Sequence, residues 1–183
     1  AADFLTAPIS RAKIQLSYVI NAFVIGLVFS FIAFIICEIF IFATGGSFLS
    51  MEAALKVIGL LVLSVLLASS MNMLFVLFTN TLSAFSTLST IIGTLIGFLA
   101  GVYVPMGVLP TFAQNLIMVF PISHSSLLLR DAFMSDSINK VFAGVPIEHI
   151  EAYKINFGIM YEMNGSTLDT STSLVVIIGS ILI

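Results

Sequence analysis

Residues 57–129 read VIGLLVLSVLLASSMNMLFVLFTNTLSAFSTLSTIIGTLIGFLAGVYVPMGVLPTFAQNLIMVFPISHSSLLL and contain no Asp, Glu, Lys or Arg over 73 consecutive positions. One membrane crossing takes about 20 apolar residues through a hydrocarbon core about 30 Å thick. This run is long enough for more than one crossing, and its prolines mark where it turns. The rest of the chain agrees: of 183 residues, 60% are hydrophobic and 8% charged, with a mean hydropathy of +1.21. No water-soluble domain of ordinary composition combines these values. The fold class is an all-α polytopic membrane protein. The lone Cys37 inside an apolar segment rules out an intramolecular disulfide and a four-cysteine metal site. A net charge of −3 comes with no basic patch of the kind that binds nucleic acid.

Working outward, residues 1–13 are polar enough to lie outside the bilayer, and Pro8 breaks any helix through them. Three spans are expected within 14–104: over 16–42, closed by Gly45 and Gly46; over 54–78, with Glu52 and Lys56 at its mouth; and over 82–104, stopping at Pro105. Thr79, Asn80 and Thr81 form the polar turn between the last two. The first apolar stretch exceeds the roughly 7–15 residues of a signal-peptide core. A last span opens near Ser173, within 173–183. A start at Ala1 rather than Met, and a stop inside an apolar run, lead us to expect a piece of something longer.

Between Pro105 and Met134 the pattern changes. Segments 110–120 and 123–134 are both apolar, both short, and separated by Pro121. Lengths of about 10–14 residues suit re-entrant or interfacial segments. Pro110 suits a first helical turn and Ser123 an N-cap. The expected element over 105–134 is a helical hairpin that dips into the membrane and returns; the alternative is one kinked span. The segment 135–172 is the only substantial soluble part, extracytoplasmic if the N-terminus is cytoplasmic, with one amphipathic helix carrying Ile147, Ile150, Lys154 and Phe157, before a turn at Asn164 and Gly165.

Few polar residues stand inside the spans. Gly93, Gly97 and Gly101, extended by Ser89, form a small-xxx-small ridge that lets two helix backbones approach, as Ala22, Gly26 and Ser30 do on span one. Asn72 reads as hydrogen-bonding glue between helices or as a substrate contact. Glu38 falls about 33 Å along the first span, at the far interface, which argues against a proton relay at mid-membrane. His124 has no second His or Cys at metal-ligand spacing. Phosphate-loop, zinc-protease and nucleophile-elbow signatures are absent, so any ATP hydrolysis belongs to another domain or polypeptide. The positive-inside comparison of Arg11 and Lys13 with Lys56 and Lys154 is close to a tie.

The order Asp3-Phe4-Leu5-Thr6-Ala7-Pro8-Ile9-Ser10-Arg11, two long spans and a Gly-rich span resembles the permease subunits of ABC-2 type exporters. A closer likeness lies in Gly101-Val102-Tyr103-Val104-Pro105, Leu109-Pro110, Phe120-Pro121-Ile122-Ser123-His124 and Leu129-Arg130. In that family the fifth helix ends in such a Gly/Pro segment, followed by two short external re-entrant helices and the sixth helix. The resemblance covers roughly 3–134 and the final span, and 135–172 is longer than the family's minimal connection. It implies that helices one and two precede this chain and that its N-terminus is cytoplasmic.

The resemblance further implies alternating access without chemistry in this chain. Pro8, Ile9, Ser10 and Arg11 would couple to an ABC ATP-binding subunit that carries ATP and Mg, with no cofactor, metal or catalytic residue here. Pro105, Pro110, Pro121, His124 and Arg130 would form the external gate, and Asn72 and Glu38 would be pathway candidates. A second permease copy or relative would complete a dimer in a lipid bilayer, with no nucleic acid involved. The setting implied is a bacterial plasma membrane, and the cargo a drug, peptide antibiotic, lipid or glycan. Two rivals remain: an ion-coupled secondary transporter, which needs ionisable groups at mid-membrane, and a membrane-embedded enzyme, which needs clustered His, Asp or Glu.

Overall fold

The computed structural model describes residues 10–79, 81–163 and 166–182. Helix α1 is Arg11–Ala43, α2 Met51–Leu77 and α3 Leu82–Leu99. Among the described residues these three single helices are long and apolar enough to cross a membrane. Ser50 opens α2 by accepting the Ala53 N–H at 3.3 Å, and Thr81 opens α3 by accepting the Ala84 N–H at 3.2 Å. Between α1 and α2, one Glu38 carboxylate oxygen accepts the Leu49 N–H at 3.1 Å, so this acid holds the connection. The two helices cross closely at Gly26, where an added Cβ would sit 2.8 Å from Val65 Cγ1.

The third helix ends earlier than the expected residue 104. Gly101 adopts φ +63°, and the N–H groups of Gly101 and Val102 fold back onto the carbonyls of Phe98 and Gly97 at 2.9 and 3.0 Å. This left-handed C-terminal motif favours glycine because it has no Cβ to clash. Tyr103 then lays its ring over Gly97 and packs edge-on against Phe98, with centroids 5.1 Å apart. The expected ridge is corrected accordingly. Within the chain, Gly93 faces open space, Gly97 is covered by Tyr103, and Gly101 terminates the helix.

The 105–134 region is a bent helix pair. A 3₁₀ turn, Met106–Val108, leads into α4, Thr111–Val119, and then α5, Pro121–Val141, with a 93° bend between the helices. Pro121 occupies the first helical position, where its missing N–H costs nothing, so α5 starts two residues before the expected Ser123 cap. It also continues past Met134 to Val141 and packs on α2.

After α5 come α6, Ile147–Asn156, and a two-residue antiparallel ladder in which Glu162 faces Thr167 and Met163 faces Ser166. The expected turn at Asn164 and Gly165 lies outside the described residues, as does Asn80. Helix α7, Thr170–Ile181, begins at an Asp169 cap, three residues before Ser173, and packs on α2 and α5. The core gathers Leu67 of α2, Ile117 and Met118 of α4, Leu127 and Leu128 of α5 and Ile177 of α7 around Met106 and Tyr161. Outside it, large apolar side chains such as Phe29 and Ile36 are exposed, as surfaces facing lipid require.

The contact at Gly26 generates a direct test. Gly26→Leu should force α1 from α2, a strain of about 1–3 kcal/mol, because the added Cβ would sit 2.8 Å from Val65, a β-branched side chain with restricted χ1. Gly59→Leu, where an added Cβ would meet no neighbouring element within 4 Å, should leave stability unchanged or raised. Thermal unfolding of the two variants in detergent reads the difference.

Candidate functional site

A helix break leaves backbone carbonyls without partners, and at membrane depth no water satisfies them. The hairpin has such a break between α4 and α5, and others where α3, the 3₁₀ turn and α6 end. Each is met by a side-chain donor from the hairpin. Gln114 of α4 donates through Nε2 to the carbonyls of Met106 and Leu109 at 3.1 and 2.8 Å. Ser123 donates through Oγ to Phe120 O at 2.8 Å.

At the bend itself, His124 Nε2 lies 2.8 Å from Met118 O and Nδ1 lies 3.0 Å from Ser173 Oγ of α7. A carbonyl only accepts, so Nε2 carries a proton; in the neutral ring Nδ1 then accepts from the Ser173 hydroxyl. His124 is 2% exposed and Ser173 fully buried. Tyr161 stands edge-on to the imidazole, 5.6 Å between centroids, and donates its hydroxyl to Ser123 O at 3.2 Å. Burial pushes the Tyr161 phenol above its usual value, against the pull of that hydrogen bond and of the Arg130 charge. It is therefore a neutral donor at physiological pH.

Two turns further along α5, Arg130 spreads its guanidinium between two helix ends. Nη2 donates to Ala100 O and Gly101 O at 3.0 and 2.6 Å, past the end of α3. Nη1 donates to Phe157 O and Gly158 O at 3.3 and 3.4 Å, past the end of α6. Helix C-termini carry partial negative charge, so a cation is well placed there. Lys154 pairs with the adjacent Asp131 at 3.6 Å, a second tie between α6 and α5.

Below the hairpin, a groove of about 640 Å³ opens between α1, α2, α3 and the start of α5, lined by Ser30, Ser69, Asn72, Ser89, Gly93 and Ile122 among others. A neighbouring groove of about 310 Å³ between α1 and α2 shares Asn72 and adds Gln15 and Tyr18. Asn72 is exposed on both and makes no hydrogen bond among the described residues. Glu38 lines neither groove.

The expected site residues thus fall into separate places. Pro105 precedes the 3₁₀ turn, Pro110 precedes α4 and Pro121 opens α5, so one proline stands at each start in the hairpin. His124 and Arg130 lie on that same helix, six residues apart. Asn72 lies in the grooves, and Glu38 holds the α1–α2 connection, which corrects its pairing with Asn72 in one pathway. Pro8 and Ile9 lie outside the described residues; Ser10 is exposed and directly precedes α1, which Arg11 opens. Gln114, Ser173 and Tyr161 were missed; only Gln114, near Pro110, carries a signal in sequence, since a polar residue beside a proline break asks which carbonyl it serves. No group of His, Cys, Asp and Glu suited to a metal occurs among the described residues.

The buried bend yields a second test. His124→Ala strands Met118 O and the Ser173 hydroxyl, a loss of about 1–3 kcal/mol per buried group. Ser173→Ala strands only His124 Nδ1, and the double variant should show a coupling of about 0.5–3 kcal/mol. Additive effects in thermal unfolding would show that the two side chains do not interact.

Comparison with known proteins adds one finding. No curated relative and no solved structure matches the chain. The family model described as ABC-2 type transporter matches residues 2–134, which takes in the three spans, the Gly101 turn and the helix pair through Arg130. The chain belongs to the ABC-2 type transporter family and is a membrane-embedded, multi-pass permease domain of that family.

Proposed function

We propose that this chain is the transmembrane permease subunit of an ATP-driven exporter in a bacterial plasma membrane. It works with an ATP-binding subunit, which holds ATP and Mg, and with a second permease copy or relative. The bent α4–α5 pair is the observation that carries this reading. It is wedged against α2 and α7, with its carbonyls capped from within, and the larger groove lies beneath it. A plug of this kind suits the outer gate of a pathway opened from the other side. Asn72, with an unpaired amide in that groove, is the best-placed contact for cargo. A drug, a peptide antibiotic, a lipid or a glycan carrier is compatible with it. An ion-coupled carrier has less support, because Glu38, whose Oε2 accepts the Leu49 N–H, lies near the end of α1 and lines neither groove.

Force must reach the gate from the ATPase. In our reading Pro8, Ile9, Ser10 and Arg11 take it up: Pro8 sets the chain direction, Ile9 supplies an apolar contact and Arg11 pairs with a carboxylate of the partner. Ser10 and Arg11 run straight into α1, which crosses α2 at Gly26.

The expected result is that Ile9→Asp abolishes transport and substrate-stimulated ATP hydrolysis in the full reconstituted transporter, while insertion and expression stay normal. Arg11→Lys, which keeps the charge but not the planar fork, should weaken both. Unchanged transport and stimulation in Ile9→Asp would reduce this segment to a headgroup anchor.

A further inference from the structure

Arg130 is a half-buried cation with no carboxylate in ion-pair reach among the described residues; the neighbouring Asp131 is taken by Lys154. Its partners are four backbone carbonyls, and their positions are specific. Helices α3 and α6 end in the same motif. Gly101 at φ +63° and Gly158 at φ +66° are left-handed, and the N–H groups of Val102 and Ile159 return to the carbonyls of Gly97 and Lys154 at 3.0 and 2.8 Å. That motif satisfies the carbonyls of the last helical turn but leaves free those of the cap and of the glycine after it. The free carbonyls are Ala100 and Gly101 on one helix, Phe157 and Gly158 on the other. Arg130 takes all four.

Gly158 is also needed for access, whereas a Cβ at Gly101 would make only ordinary contact. An added Cβ at Gly158 would sit 2.7 Å from Arg130 Nη1, and one at Gly101 would sit 3.4 Å from it. Helix α3 has no buried residue, so its packing on the rest of the chain is slight and its outer end depends on this attachment. Only a planar guanidinium, with nitrogens aimed in two directions, reaches both helix ends at once; a lysine ammonium serves one.

We propose that Arg130 is the pin that joins the outer end of α3, the hairpin helix α5 and the extracytoplasmic helix α6 into one body. The outer gate then moves as a unit with α3 and does not flex at the Gly101–Pro105 link. The inference rests on the exporter reading for its role in transport, but not for the pin itself.

The test uses the full transporter in nanodiscs, lacking Cys37, with spin labels at the exposed Leu95 of α3 and Glu151 of α6. In the resting protein the distance distribution should be narrow. Arg130→Lys and Arg130→Gln should both broaden it, and transport should fall by about tenfold or more, as the loss of charge-assisted hydrogen bonds requires. Methylguanidinium should narrow the distribution again in Arg130→Ala, where ammonium should not. Trapping with ATP and vanadate should leave the Leu95–Glu151 distance unchanged in the Arg130 protein, while a pair at the other end, Leu16 and Leu82, shifts. If neither pair responds to nucleotide, the exporter reading fails, and the resting-state widths still decide the pin. A distribution as narrow in Arg130→Lys and Arg130→Gln as with Arg130, or a Leu95–Glu151 distance that changes with nucleotide, overturns it.

Discussion

A sharp turn between two buried helix ends must find hydrogen-bond partners for the backbone groups it frees, and the α4–α5 bend is where this chain meets that constraint. A sharp turn between two helices frees carbonyls that straight helices would use. Had Met118 O remained unpaired beside the buried His124, the bend would cost about 1–3 kcal/mol. His124 removes that cost from one residue past the first turn of the next helix, and its other nitrogen ties the bend to Ser173 of α7. Gln114 and Ser123 serve neighbouring carbonyls in the same way. Gln114, Ser123 and His124 of this uncharged region are thus spent on backbone.

The same constraint shapes how motion can pass through the molecule. A hairpin whose carbonyls are capped internally has no cheap place to flex, since any partial opening exposes an unsatisfied group. Motion is then directed to surfaces with few contacts. Helix α3 offers one, having no buried residue and an attachment at Arg130. The groove between α1, α2 and α3 is the space such a movement would open or close.

Much of the fold was legible in the sequence because hydrophobic length is a strong signal. The three spans begin and end within a few residues of where apolar runs, Gly45 and Thr81 placed them, and the short segments around Pro121 marked the bent pair. Two readings failed for a common reason. Ser123 looked like a cap and Gly93, Gly97 and Gly101 like a ridge, because spacing was taken without asking what each neighbour does to the backbone. Pro121 pre-empts Ser123 at the first helical position, and Gly101 ends its helix before the ridge is complete. Arg130 and His124 were visible as candidates, but their roles were not. Those depend on carbonyls at residues 100–101, 118 and 157–158, far away in sequence or invisible as side chains. The coupling segment at Pro8 and Ile9 remains a reading of sequence alone.

Whether the α4–α5 pair re-enters the membrane or crosses it decides every functional statement made about the gate. Single cysteines at Val108, before α4, and at Lys140, near the end of α5, report this in a Cys37-free background with an impermeant thiol reagent on sealed vesicles. References at Gly45 and Ser10, beyond the two ends of α1, fix the two faces. Labelling of Val108 and Lys140 from the same face as Gly45, with Ser10 protected, is the result expected of a re-entrant outer hairpin. Labelling of Val108 and Lys140 from opposite faces would make the pair a broken span and contradict it.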